Sequence, residues 1–160
     1  MQSGQIFVAE IDGANVIKFV GDVRLTLCIS FDNFIDHMYR KSQCSSVLFD
    51  LRDASSIDST TLGLMAKISI LFQDRFHKLP IVVSPDEGIN RLLDSMGFDD
   101  IFEIVPSIDK EFENIEELTE EGLDEDSARS KVIEAHKILM SLNEENRNEF
   151  HDLINSLEQK

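Results

Sequence analysis

Residues 48–65 read LFDLRDASSIDSTTLGLM, and this stretch decides the fold. Val47, Leu48, Phe49 and Leu51 form an apolar run that suits a central strand buried on both faces, over residues 46–51. The run passes into a polar loop, then into Asp58-Ser59-Thr60-Thr61-Leu62-Gly63. An apolar helical pattern follows to about Phe76, with Leu62, Met65, Ala66, Ser69, Ile70 and Gln73 on one stripe. A strand that empties into a helix through hydroxyl residues leaves side-chain oxygens and unpaired backbone N–H groups at the helix N-terminus. Those amides and the helix dipole favour an anion, so the position suits a phosphate. The plain reading of Ser59 and Asp58 is that they cap the helix.

Outward from this stretch the pattern alternates. Residues 5–10 and 16–20 are short β-type runs joined through Asp12-Gly13, a hairpin signal. Phe31, Phe34, Ile35, Met38 and Tyr39 recur at helical spacing and predict an amphipathic helix over residues 28–41. After residue 76, residues 80–84 (PIVVS) predict another strand. Pro85-Asp86-Glu87-Gly88 opens a short helix through Leu93, with acids in its first turn. Ser95-Met96-Gly97-Phe98 then turns into a last strand over 101–105. A hairpin followed by alternating helices and strands gives an α/β sandwich: a mixed sheet with helices mainly on one face.

After Pro106 the composition changes. Residues 106–160 hold 16 acids against 6 Lys and Arg, whereas the preceding 105 hold 15 against 9. Residues 109–126 are acidic and poor in apolar side chains, which predicts a solvated linker or a loosely docked helix. Two narrow apolar stripes follow, Ala128, Val132, Ala135 and Leu139, then Phe150, Leu153, Ile154 and Leu157. They predict a helical hairpin over about 124–140 and 142–157, with Ser141-Leu142-Asn143-Glu144 as a capping box. The division expected is therefore a core over 1–105 and an acidic linker with a helical extension over 106–160. Two such helices bury too little to stand alone. They must dock on the core, on a second copy in a homodimer, or on a partner, and the shared negative charge disfavours tight docking on the core.

Whole-chain properties exclude several functions. A net charge of −16 repels nucleic acid and anionic membrane. No apolar run approaches the roughly 20 residues of a membrane span, and the N-terminus lacks the basic start and apolar stretch of a signal peptide. Cys28 and Cys44 have no metal or redox spacing and read as reduced thiols of a cytoplasmic protein. A hydrolase elbow would read Gly-x-Ser-x-Gly where this chain has Ile57-Asp58-Ser59-Thr60-Thr61. His37, His77, His136 and His151 lie in helical patterns with no local partner signature, His37 and His77 reading as surface residues. There is no phosphate-cradling glycine loop and no metal-ligand cluster. An enzyme is not expected, nor is a cofactor or metal.

Asp50-Leu51, Asp58-Ser59-Thr60 and Leu62-Gly63 together resemble the strand–loop–helix segment of the STAS domain, the fold of bacterial anti-sigma factor antagonists. Gly21-Asp22-Val23-Arg24 resembles a second family turn, with Arg24 in place of its last acid, and Thr61 stands where the family usually has Gly. The resemblance covers about residues 6–105. It implies that Ser59 is the phosphoacceptor, with Thr60 or Ser56 as alternatives, and that Asp58 can orient its hydroxyl. It also implies that Asp22, Arg24, Asp58, Ser59, Thr60, Thr61, Leu62 and Gly63 meet a partner. That partner would be an anti-sigma factor that is itself a serine kinase with a histidine-kinase-like ATP-binding fold. A PP2C-like phosphatase would reset the switch. The alternative is a non-switching STAS subunit of a transport or sensory assembly, with Ser59 structural.

Overall fold

The computed structural model describes residues 3–41 and 45–159; Cys44 lies outside them. Six strands form one mixed sheet in the order β5-β4-β3-β2-β1-β6. They are β1 (Gln5–Ile11), β2 (Ala14–Val23), β3 (Ser46–Ile57), β4 (Ile81–Val83), β5 (Glu103–Val105) and β6 (Glu116–Glu117). Strands β2 to β5 run parallel, and β1 is antiparallel to both of its neighbours. The helices are α1 (Cys28–Arg40), α2 (Ser59–Phe76), α3 (Glu87–Ser95), α4 (Glu125–Leu142) and α5 (Glu144–Glu158). The expected hairpin is present: Asp12 (φ 52°) and Gly13 (φ 84°) both take the left-handed backbone that a two-residue turn of this type demands.

Alternation along the strands sends Ile17, Phe19, Phe49 and Leu51 into the core. A file of aromatic rings links them to the helices. Phe31 of α1 meets Phe19 at 5.7 Å, Phe19 meets Phe49 at 6.0 Å, and Phe49 meets Phe102 at 5.8 Å. Lys18, Asp50 and Arg52 belong to the other parity. Asp50 is fully buried there and takes a two-pronged ion pair from Arg52, both bonds 2.9 Å. Burial opposes its charge, but the guanidinium outweighs burial and holds the carboxyl below its ordinary range.

The structure departs from the sequence reading in four places. The polar loop expected after Leu51 is strand: β3 continues to Ile57 beside the end of β2, past register shifts at Lys18/Val20 and Gly21/Asp22. The shifts break the two-residue period, which hides the strand. The acidic segment after Pro106, read as a solvated linker or a loosely docked helix, is a largely exposed linker up to residue 124. It also adds a strand at the sheet edge, where Glu116 and Glu117 pair with Val8 and Phe7. Asn143, not Ser141, caps α5, accepting from the Asn146 amide at 2.8 Å. The Ser141 hydroxyl instead donates to the Ile138 carbonyl. Ile70, on the apolar stripe that the sequence traces along α2, is 41% exposed.

That last difference follows from how α2 is packed. Leu62, Leu64, Met65, Ala66, Ile68 and Phe72 are all buried, so the helix is covered on more than one side. The additional cover is α4. A Cβ on Gly63 would lie 2.3 Å from the Ala135 carbonyl oxygen, so only glycine admits the α4 backbone here. Ile70, two turns on from Gly63, remains exposed. Ala135, Leu139 and Phe150 join the main core cluster.

Tight docking of an acidic hairpin on an acidic core is achieved by local charge pairing. Asp32 of α1, 3% exposed, accepts from Lys67 of α2 at 2.8 Å and from Lys131 of α4. Glu134 accepts from the same two lysines at 2.7 and 3.1 Å. Burial disfavours the charges of Asp32, Lys67 and Lys131, yet the pairing wins, holding Asp32 below and both lysines above their ordinary ranges. Asn146 adds bonds of 2.9 Å to the carbonyls of Met96 and Leu139.

Replacing Asp32 with alanine leaves two lysines facing one carboxylate. Breaking a fully buried pair costs about 3–5 kcal/mol. The lysines are a fifth to a quarter exposed, so about 2–3 kcal/mol is expected, read as a lower urea midpoint.

Candidate functional site

The long β3 delivers Ser59 to one end of the sheet. The Asp58 amide bonds the Val23 carbonyl at 3.1 Å, so the ends of β2 and β3 and the start of α2 meet at one point. Both oxygens of Asp58 are committed. One caps α2 by accepting from the Thr61 amide at 2.9 Å, and the other accepts from the Leu25 amide at 2.7 Å. The sequence reading of Asp58 as a cap is therefore correct, and the same carboxylate also holds the turn after β2. Asp22 accepts from the Ser56 hydroxyl and from Arg24 at 2.7 Å. Its carboxyl sits below its ordinary range, chiefly through the Ser56 bond and then Arg24. Arg24 itself is 62% exposed.

The eight candidate residues are thus close together, but not equally accessible. Ser59 is half-buried, whereas Thr60, Thr61, Leu62 and Gly63 are buried. Thr60, the alternative acceptor, is 3% exposed, and Ser56 is exposed but engaged by Asp22.

The residue that sequence reasoning missed is His136. Its Nε2 lies 2.7 Å from the Ser59 hydroxyl, and its Nδ1 lies 2.6 Å from the Val132 carbonyl. A carbonyl can only accept, so a neutral ring must carry its proton on Nδ1. Nε2 then accepts, and the Ser59 hydroxyl donates to it. The ring is 2% exposed and packs edge-on against Phe150 at 4.8 Å. Burial pushes the imidazole pKa down, against the weaker upward pulls of the Val132 carbonyl and Asp58. The only signal in the chain is a histidine beside the stripe of Val132, Ala135 and Leu139. Nothing local connects it to a serine 77 positions away.

A serine hydroxyl bonded to an imidazole is also how nucleophiles are activated. Here the pair is closed over by a helix, and the first turn behind Ser59 is buried. Among the described residues, no group of three His, Cys, Asp or Glu could hold a metal ion, and no helix is long and apolar enough to cross a membrane. Cys28 is buried, and burial first, then Asp58, raises its thiol pKa to about 11, far from a reactive thiolate.

Comparison with known proteins gives consistent matches. The STAS domain family model matches residues 5–111. An anti-sigma factor antagonist assigned in Thermotoga maritima is similar in structure, with TM-score 0.56 and 22% identity over 63% of this chain and 86% of that one. The unphosphorylated form of the anti-sigma factor antagonist SpoIIAA gives TM-score 0.55 and 12% identity, covering 64% and 89%. An anti-sigma factor antagonist from Mycobacterium paratuberculosis gives 0.55 and 19%, covering 67% and 89%. No curated protein matches the chain at a significant level.

The lowered His136 pKa sets a pH dependence. The unfolded ring binds a proton near 6.5, while the folded ring resists it. Stability present above 6.5 is therefore lost as pH falls through the lowered folded value, and His136 contributes no further loss below it. Asp58 is the charged group that acts on the ring. The drop in urea midpoint between pH 7 and pH 5 should be smaller in His136→Gln than in the parent, because the amide cannot titrate.

Proposed function

Because the chain belongs to the STAS domain family, we propose that it is a regulatory antagonist switched by phosphorylation of Ser59. Unphosphorylated, it binds an anti-sigma factor that is also its serine kinase, through Ser59, the start of α2 and the Asp22–Arg24 turn. Binding releases a sigma factor or an equivalent output, and a PP2C-like phosphatase restores the binding form. In this reading residues 1–105 are the switching unit and 106–160 a regulatory extension. The observation that carries it is the position of Ser59. It is the first residue of an 18-residue helix, half-buried, at the end of a strand, where helix amides and dipole favour an anion. Thr60 is a poorer acceptor because its side chain is buried.

The switch needs only local chemistry. A phosphate adds about −1.5 to −2 charges. At a protein interface an unpaired buried charge costs about 2–5 kcal/mol, or about thirtyfold to several thousandfold in affinity.

Ser59→Ala should fold and remain in the binding form. Losing the hydroxyl leaves the His136 Nε2 without its donor, at about 1–3 kcal/mol, within the reserve of a domain of this size. Intact mass of protein from cells should show one phosphate increment in the parent, removable by phosphatase, and none in Ser59→Ala. A full increment in the alanine variant would move the assignment to Thr60. Ser59→Asp should weaken partner binding incompletely, since a carboxylate carries one charge and is shorter than phosphate.

A further inference from the structure

We propose that the α4–α5 hairpin is a displaceable internal cover over Ser59 and the Gly63 face of α2, and that a negative charge on Ser59 drives it off. The inference rests on the reading of Ser59 as the switch residue. Three observations carry it.

The first is occlusion. The α4 backbone at Ala135 occupies the space a Cβ on Gly63 would need, and Nε2 of His136 accepts the hydrogen bond that the Ser59 hydroxyl donates. A second protein cannot lie against the Gly63 face of α2 while α4 is there, so the partner of the unphosphorylated form has to displace the hairpin to reach it. Once Ser59 is phosphorylated the hairpin is off, but the phosphate itself bars that partner.

The second is chemical incompatibility. With a neutral His136 the closed state requires a donor on the Ser59 oxygen, because Nδ1 carries the ring proton to a carbonyl and Nε2 then only accepts. A phosphate ester has no such proton at Ser59. It would set anionic oxygens against an imidazole lone pair, with the Asp58 carboxylate committed beside it. Protonating His136 would restore a favourable contact, but burial opposes that charge.

The third is the tether. The segment before the hairpin is held to the core by β6, by the Leu118 amide on the Ile6 carbonyl at 2.8 Å, and by Ser30 on the Thr119 carbonyl. Residues 121–126 are exposed, and a Cβ on Gly122 would meet nothing within 4 Å. Glu121 is also held, by Asn33 at 2.8 Å, so the hairpin can leave α2 by rotation at 122–124 with β6 still paired.

Hydrogen exchange of the full purified chain, with no kinase present, tests the idea. In the parent, amides of α4 and α5 should exchange through an opening that leaves β2 and β3 protected. Ser59→Glu should speed exchange in α4, α5 and the first turns of α2 by at least about tenfold, with β2 and β3 unchanged. Ala135→Arg, which places a charged side chain against Gly63, should give the same pattern without touching Ser59. If Ser59→Glu leaves α4 protection at the parent level, the proposal is wrong. It is also wrong if Ala135→Arg exposes the sheet together with the hairpin, because the hairpin is then part of the cooperative core. Finding phosphate on Ser59 in a chain whose hairpin stays protected would sink this inference alone. An opening in Ser59→Glu with no phosphate on the cellular protein would sink only the functional reading.

Discussion

The close approach of α4 to α2 at Gly63 is the constraint on which the rest depends. With no side chain at that position, the α4 backbone can lie directly on α2. One helix register then fixes every other contact. His136 falls on Ser59, Ala135 on Gly63, and Glu134 and Lys131 on Lys67 and Asp32. Shifting α4 along α2 by one turn would break all of these together, and it would leave Asp32 buried with fewer cations. The glycine of the Ser59 segment serves an internal contact in this chain.

Asp58 supplies the second fixed point. By accepting from Leu25 and Thr61 with separate oxygens it ties the exit of β2 to the entry of α2. It thereby holds Ser59 at one place relative to Asp22 and Arg24. This carboxylate also sets the electrostatics. Asp22 and Asp58 are both close to the turn, and the nearest cation among the candidate residues, Arg24, is already bound to Asp22. A new anion at Ser59 finds helix amides to favour it, but its acidic neighbours and the His136 lone pair oppose it. The site is built so that added charge is felt strongly.

What could be read from the chain alone was local. Residues 48–65 announced a strand, an N-terminal hydroxyl cluster and a helix, and Asp12-Gly13 announced its hairpin, because turn chemistry and apolar period act over a few residues. The helical hairpin after residue 124 was legible from two apolar stripes. The extra length of β3 was not, because register shifts disrupted its alternation. Nor was the second covered side of α2, since a one-stripe reading leaves Gly63 off the stripe and puts Ile70 on it. His136 was invisible for a different reason. Its meaning depends on α4 crossing α2 at one register, a property of tertiary packing that no spacing within the chain encodes.

Charge explains why the extension can be held and yet remain separable in principle. The extension carries a net −10 and the preceding part −6, and this repulsion is spread over many exposed acids and screened beyond about 8–10 Å. The attraction is concentrated in one half-buried quartet with two lysines and two acids, in the apolar contacts of Ala135, Leu139 and Phe150, and in Asn146. Short-range order thus overcomes a long-range penalty without abolishing it. Such a balance responds sharply to a change at one contact. The Ser59–His136 bond is the contact whose chemistry a single covalent modification would reverse, from donor facing acceptor to anion facing lone pair.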